Sequence, residues 1–252
     1  MTHTARPALL VAFDDVLANT AAERGSALCE AMREVAGSSV SRDALQWSAW
    51  CEGRTFAAAA RDAVRHTASE TANPANPANP ANTANTGVTA DDEPAIALVA
   101  LLAERHFSAR AQRGLALHDG AAAFVRAAAA HAPLGLIAWS ARRDVAATIA
   151  FAGLEDAFTF VITADDAADD APPAARWALG VTRLRTRARH TVISALVGGH
   201  TAIHGARAAG ATAVAVGALP TETAFLADRW VPALDATHAD DVLALTRRPE
   251  LP

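Results

Sequence analysis

The chain has 252 residues, 52% hydrophobic and 19% charged, enough apolar material for one mid-sized domain or a core with a smaller appended unit. A formal charge of −5 excludes the basic footprint of nucleic-acid binding, and no apolar run reaches the length of a membrane span, so neither nucleic acid nor membrane is an expected partner. Cys29 and Cys51, without metal-like spacing, exclude a disulfide framework and a zinc cluster, and residues 1–7 lack the features of a secretory leader; a cytoplasmic protein is expected.

Residues 8–13 form an apolar run that stops at Asp14-Asp15, the pattern of a buried strand and its terminating turn. Residues 21–36 and 43–66 carry apolar side chains at helical spacing, with Ser41 or Asp43 as caps for the second stretch. Residues 71–87 repeat Ala-Asn-Pro three times and Ala-Asn-Thr twice. Proline at every third position removes amide donors, and nothing larger than alanine is available to bury, which predicts a partly extended linker. Residues 93–113 read as another helix.

From Leu117 onward strands and helices alternate. Helices are expected at 120–131, 142–152, 174–187 and 201–209, and strands at 134–138, 158–163, 191–196 and 211–216. Units of this length predict a doubly wound, Rossmann-like parallel α/β sheet covered on both faces. Ligands in such sheets sit at the carboxyl ends of the strands, here just after Phe13, Ala138, Thr163 and Leu196.

The stretch Ala12-Phe13-Asp14-Asp15-Val16-Leu17-Ala18-Asn19-Thr20 resembles the F-D-x-D-G-V/T-L-x-D-T/S loop of the haloacid dehalogenase (HAD) superfamily of phosphatases and phosphomutases. Four further blocks extend the resemblance over nearly the whole chain: residues 117–121, 152–158, 205–211 and 226–231. It implies a HAD-type α/β core over 1–19 and 116–252, interrupted by an inserted α-helical cap over 20–115.

The chemistry implied by the resemblance needs two Asp residues, a Ser or Thr, a Lys and acidic Mg²⁺ ligands. Aligned without a gap, Ala12 falls on the nucleophile, Asp14 on the acid/base and Asp15 on the glycine. Deleting two loop residues would instead make Asp14 the nucleophile and place Val16 on the acid. Ala138 falls on the Ser/Thr position. Ser140 lies two residues on, as a substitute or as the N-cap of a helix starting near Arg142. Arg142 and Arg143 could receive an anion at that helix start, or face solvent.

The Lys position is Ala171, inside a run holding Asp165, Asp166, Asp169 and Asp170, a field that repels a phosphate dianion unless a metal offsets it. After the fourth strand, Val197-Gly198-Gly199 replaces the acidic pair. His200 and His204 stand four apart, a metal-capable spacing with no third ligand to name, so a pair of surface histidines is the plainer reading. In the cap, residues 52–56 resemble a substrate-selecting Gly-Arg-Ser/Thr turn, making Arg54 the expected anion contact, or one residue of a plain interhelical turn. Trp47, Trp50, Trp139 and Trp177 read as packing residues.

The expectation is a HAD-like protein that has lost phosphoryl transfer and binds a ligand or a protein partner. No cofactor or metal is expected; Asp14, Asp165 and Asp166 are the ligands if there is one. The alternative is a Mg-dependent phosphatase acting on a small phosphorylated metabolite through Asp14, with Arg54, Ser140 and Arg142 on the substrate. A degenerating paralogue without selected activity is the third reading.

Overall fold

The computed structural model describes residues 6–37, 44–72, 89, 91–168, 171–187 and 191–245. The cap candidates Ser41 and Asp43, most of the expected linker, and Asp169 and Asp170 lie outside the described residues. The chain divides into two compact units, Met1–Asn19 with Gly114–Pro252, and Thr20–Arg113. Among the described residues no helix is long and apolar enough to cross a membrane.

The first unit is built on six parallel strands: β1 (Arg6–Ala12), β2 (Leu134–Ile137), β3 (Phe160–Ile162), β4 (Thr191–Val197), β5 (Thr212–Val216) and β6 (Arg229–Val231), in spatial order β3-β2-β1-β4-β5-β6. Side chains alternate between the two faces of a strand, yet every residue from Ala8 to Phe13 is at most 1% exposed. Both faces of β1 are therefore covered, which is why its sequence is continuously apolar rather than alternating.

The helices of this unit are α5 (Ala121–Ala129), α6 (Arg142–Phe151), α7 (Pro173–Arg187), α8 (His200–Ala208), the four-residue α9 (Thr221–Ala224) and α10 (Ala239–Leu245). Helix α7 packs on β2, β1 and β4 and against α8, while α5 and α10 pack on each other and α10 reaches β1. Strand β3 is shorter than expected. A 3₁₀ turn at Glu155–Ala157 precedes it, and Thr163 closes the strand by capping a second 3₁₀ turn at Ala164–Asp166.

The second unit is helical: α1 (Ala21–Ala36), α2 (Ala44–Cys51), α3 (Phe56–Ala72) and α4 (Glu93–Ala111). The helical spacing over 43–66 is carried by two helices, separated by the interhelical turn offered as the plain reading of residues 52–56. The break falls at residues 52–55, where Gly53 takes a left-handed φ of 62° that a side chain would disfavour. Asp92 caps α4, its carboxylate accepting from the Ala95 amide at 3.0 Å. Leu28, Ala31 and Met32 of α1 and Val99, Ala103 and Phe107 of α4 are buried in this unit's interior. Arg24 is buried with them, its guanidinium 4.6 Å from the Phe56 ring centroid and donating to the Arg54 carbonyl. On the outside of the α1–α4 pair, Arg110 bridges Glu23 and Glu30, and His106 bonds Glu34.

Candidate functional site

The loops at the carboxyl ends of β1 and β2 are joined by one side chain. Strand β1 ends with Ala12 paired to Ile137, and the Phe13 amide donates to the Ile137 carbonyl at 2.7 Å. The chain then turns back on itself. Asp15 donates its amide to the Ala18 carbonyl at 2.9 Å, and the Ala18 amide returns to the Phe13 carbonyl at 2.9 Å. Asp15 holds φ at 62°, the one non-glycine positive φ among the described residues.

This turn aims half-buried Asp14 at the β2 loop. Its Oδ2 accepts from the Trp139 amide at 2.8 Å, and its Oδ1 accepts from the Ser140 hydroxyl at 3.1 Å. Trp139 and Ser140 are each 2% exposed, so the donors are buried and the carboxylate satisfies both. Ala12, on the strand immediately before, contributes a buried methyl group.

Ser140 is not a helix cap. The cap position of α6 is Ala141, which makes no side-chain capping bond, and the first amide of the helix, that of Arg142, donates to Asp165 Oδ2 at 2.7 Å. The Arg142 guanidinium donates to Asp166 at 2.5 Å, and Asp166 also pairs with Arg183 at 3.6 Å. Thr163 completes the cluster, donating its amide to Asp166 at 2.8 Å and its hydroxyl to both carboxylates at 3.1 Å. The Arg142 amide is the main reason the Asp165 carboxyl sits below its ordinary range; burial opposes this, and the Thr163 hydroxyl adds to it. Of the four carboxylates in this run, the two that are described, Asp165 and Asp166, hold a helix start and a cation. Ala171 supplies no charge, and Arg143 is an exposed residue beside Asp144.

The sequence reading missed Arg176. It is 1% exposed and donates to the carbonyls of Thr163 and Ala164 at 3.4 and 3.3 Å, a buried cation under the carboxyl end of β3. Its place beside Trp177 and one turn before Gly180, on the face that α7 buries, was the available signal.

The loop after β4 lies against the Asp15 turn. A Cβ at Gly198 would stand 3.0 Å from the Asp15 carbonyl oxygen and 3.2 Å from its Cβ, so a carboxylate-bearing residue there would require the turn to shift. His200 opens α8, with His204 one turn on and ring centroids 4.5 Å apart. In the helical unit Arg54 forms an ion pair with Asp62. No three carboxylate, imidazole or thiol residues are grouped to hold a metal ion among the described residues. Among the described residues, magnesium, the ion that the resemblance implies, does not fit the donor set: Asp14, Asp165 and Asp166 are all engaged by protein donors, and the loop between β4 and α8 offers no carboxylate.

No protein-family profile and no curated protein sequence matches the chain. Solved structures do. CbbY from Rhodobacter sphaeroides in complex with phosphate aligns over 90% of this chain and 93% of its own at 19% identity, with a TM-score of 0.67. β-Phosphoglucomutase from Clostridium difficile aligns over 95% and 96% at 12% identity, with a TM-score of 0.70. A predicted phosphoglycolate phosphatase from Haemophilus somnus aligns over 95% and 99% at 12% identity, with a TM-score of 0.69. The fold is therefore HAD-like, as the sequence blocks implied; identities this low establish the fold alone.

Proposed function

We propose that this chain is a HAD-fold protein that no longer transfers phosphoryl groups and acts by binding. The observation that carries this reading is the Asp14 carboxylate seated on the Trp139 amide and Ser140 hydroxyl. Those are the donors that the β1–β2 end of the sheet would offer an oxyanion. An arriving phosphoryl group must displace a carboxylate already bonded there, and meets its negative charge while doing so. Arg142 is likewise held by Asp166. The left-handed φ of Asp15 supports the alignment without a gap, because that is the conformation a glycine position serves. In that alignment Ala12 occupies the nucleophile position and has no atom able to attack phosphorus.

Magnesium has no role in this reading, in which Asp14, Asp165 and Asp166 serve protein donors. Either a protein partner or a small metabolite bound without turnover is compatible with it. The deciding assay is aryl phosphate hydrolysis with Mg²⁺, comparing wild type with Asp14→Asn. Neither protein should turn over above background, as loss of a covalent nucleophile removes several orders of magnitude in rate. Mg²⁺-dependent turnover that disappears in Asp14→Asn would instead install Asp14 as the nucleophile of an active phosphatase.

A further inference from the structure

Helix α8 carries a feature that the phosphoryl-transfer resemblance does not account for. His200 and His204 are one turn apart, and residues at i and i+4 share a helical face. Their ring centroids are 4.5 Å apart with planes inclined at 56°, and both residues are exposed. Among the described residues, this ring contact is the one interaction that either imidazole makes.

We propose that His200 and His204 form a binding site for a first-row divalent transition ion, with the two imidazoles as ligands and water in the remaining positions. Imidazole nitrogen suits copper(II), nickel and zinc, whereas Mg²⁺ demands oxygen ligands and is reluctant to shed its water. Two rings already side by side on a rigid helix need only side-chain rotation to share an ion, so little ordering opposes binding. The neighbouring cation on the same side of the helix, Arg207, is engaged by the Leu226 carbonyl at 2.6 Å and by Asp228 at 3.7 Å. The positive end of the α8 dipole weakens the site, as does the presence of only two protein ligands. Affinity is therefore modest, and copper(II) binds most tightly, following the usual order of divalent ions. The site opens at the carboxyl end of β4, directly after Gly198 and Gly199. It requires nothing of Asp14 and stands whether or not the chain hydrolyses phosphate.

The test is calorimetric titration of the full chain with Ni²⁺ and with Zn²⁺, on wild type, His200→Gln and His204→Gln. Both positions are exposed, and circular dichroism verifies that α8 and the rest of the fold persist. Each variant should lose one equivalent of Ni²⁺, or bind it at least tenfold more weakly, and Mg²⁺ should not compete. The other histidines are common to all three proteins and cancel in the comparison. Unchanged stoichiometry and affinity in both variants would overturn the proposal. So would a wild type that binds neither ion, or one from which Mg²⁺ displaces Ni²⁺ at comparable concentration.

Discussion

Asp14 and Asp15 share a side chain and divide the labour of one turn. Asp15 supplies the left-handed backbone, and Asp14 uses the resulting direction to reach Trp139 and Ser140. The sequence marked both as the end of a strand, but the partners of Asp14 lie 125 and 126 residues further on, beyond any local pattern. Ser140 shows the same limit: a serine before a helix reads as a cap, yet its hydroxyl is drawn to a carboxylate from another strand. The left-handed conformation costs an ordinary L-residue about 1–2 kcal/mol, and most for a β-branched one. Asp15→Gly should therefore be more stable than Asp15→Val by about 1–2 kcal/mol in urea unfolding. Equal midpoints would mean that the turn does not hold this φ in solution.

Among the elements, those with a strong period and clear punctuation were legible, and those shaped by tertiary contacts were not. Helix α1 falls where its apolar spacing placed it, and β2, β4 and β5 follow their buried runs to within a residue at each end. The break after α2 falls in the Gly-Arg-Thr turn at residues 52–55, where Gly53 punctuates an otherwise helical spacing. Strand β6 was not anticipated as a strand because Arg229 and Trp230 are exposed and leave no buried run to recognise.

The start of α6 carries a pH signature. Asp165 accepts the Arg142 amide, and its carboxyl is held below the usual range, so its folded-state pKa lies below its unfolded one. The associated stability is fully present above the unfolded carboxylate pKa and is lost as pH falls through the folded value. In urea melts, wild type should exceed Asp165→Asn near neutrality, with the gap narrowing as the pH falls through about 4 and below. A gap that stays constant with pH would assign the Asp165 contribution to something other than its charge.

For the whole molecule, the parallel α/β class followed from alternating helices and apolar runs, because burial on both sheet faces writes itself into sequence, whereas the spatial order of the strands did not. Strand order then ranks protection. Strands β1 and β4 form the central pair, flanked by β2 and β5, and β3 and β6 lie at the edges. Hydrogen exchange in the intact protein should be slowest in β1 and β4 and fastest in β3 and β6. Comparable rates across the sheet would indicate that it opens as one cooperative unit.

That same strand order has a consequence during synthesis. Strand β1 is made first, but Leu9 pairs with Leu134 on one side and with Ser194 on the other. This largely buried apolar strand must wait with both edges open until β2 is made, and with one edge open until β4 is. The helical unit, contiguous from Thr20 to Arg113, can acquire its local contacts during that interval. An apolar strand left unpaired for so long is an aggregation hazard. Yield from the ribosome should thus be governed by how soon β2 and β4 emerge to shelter β1.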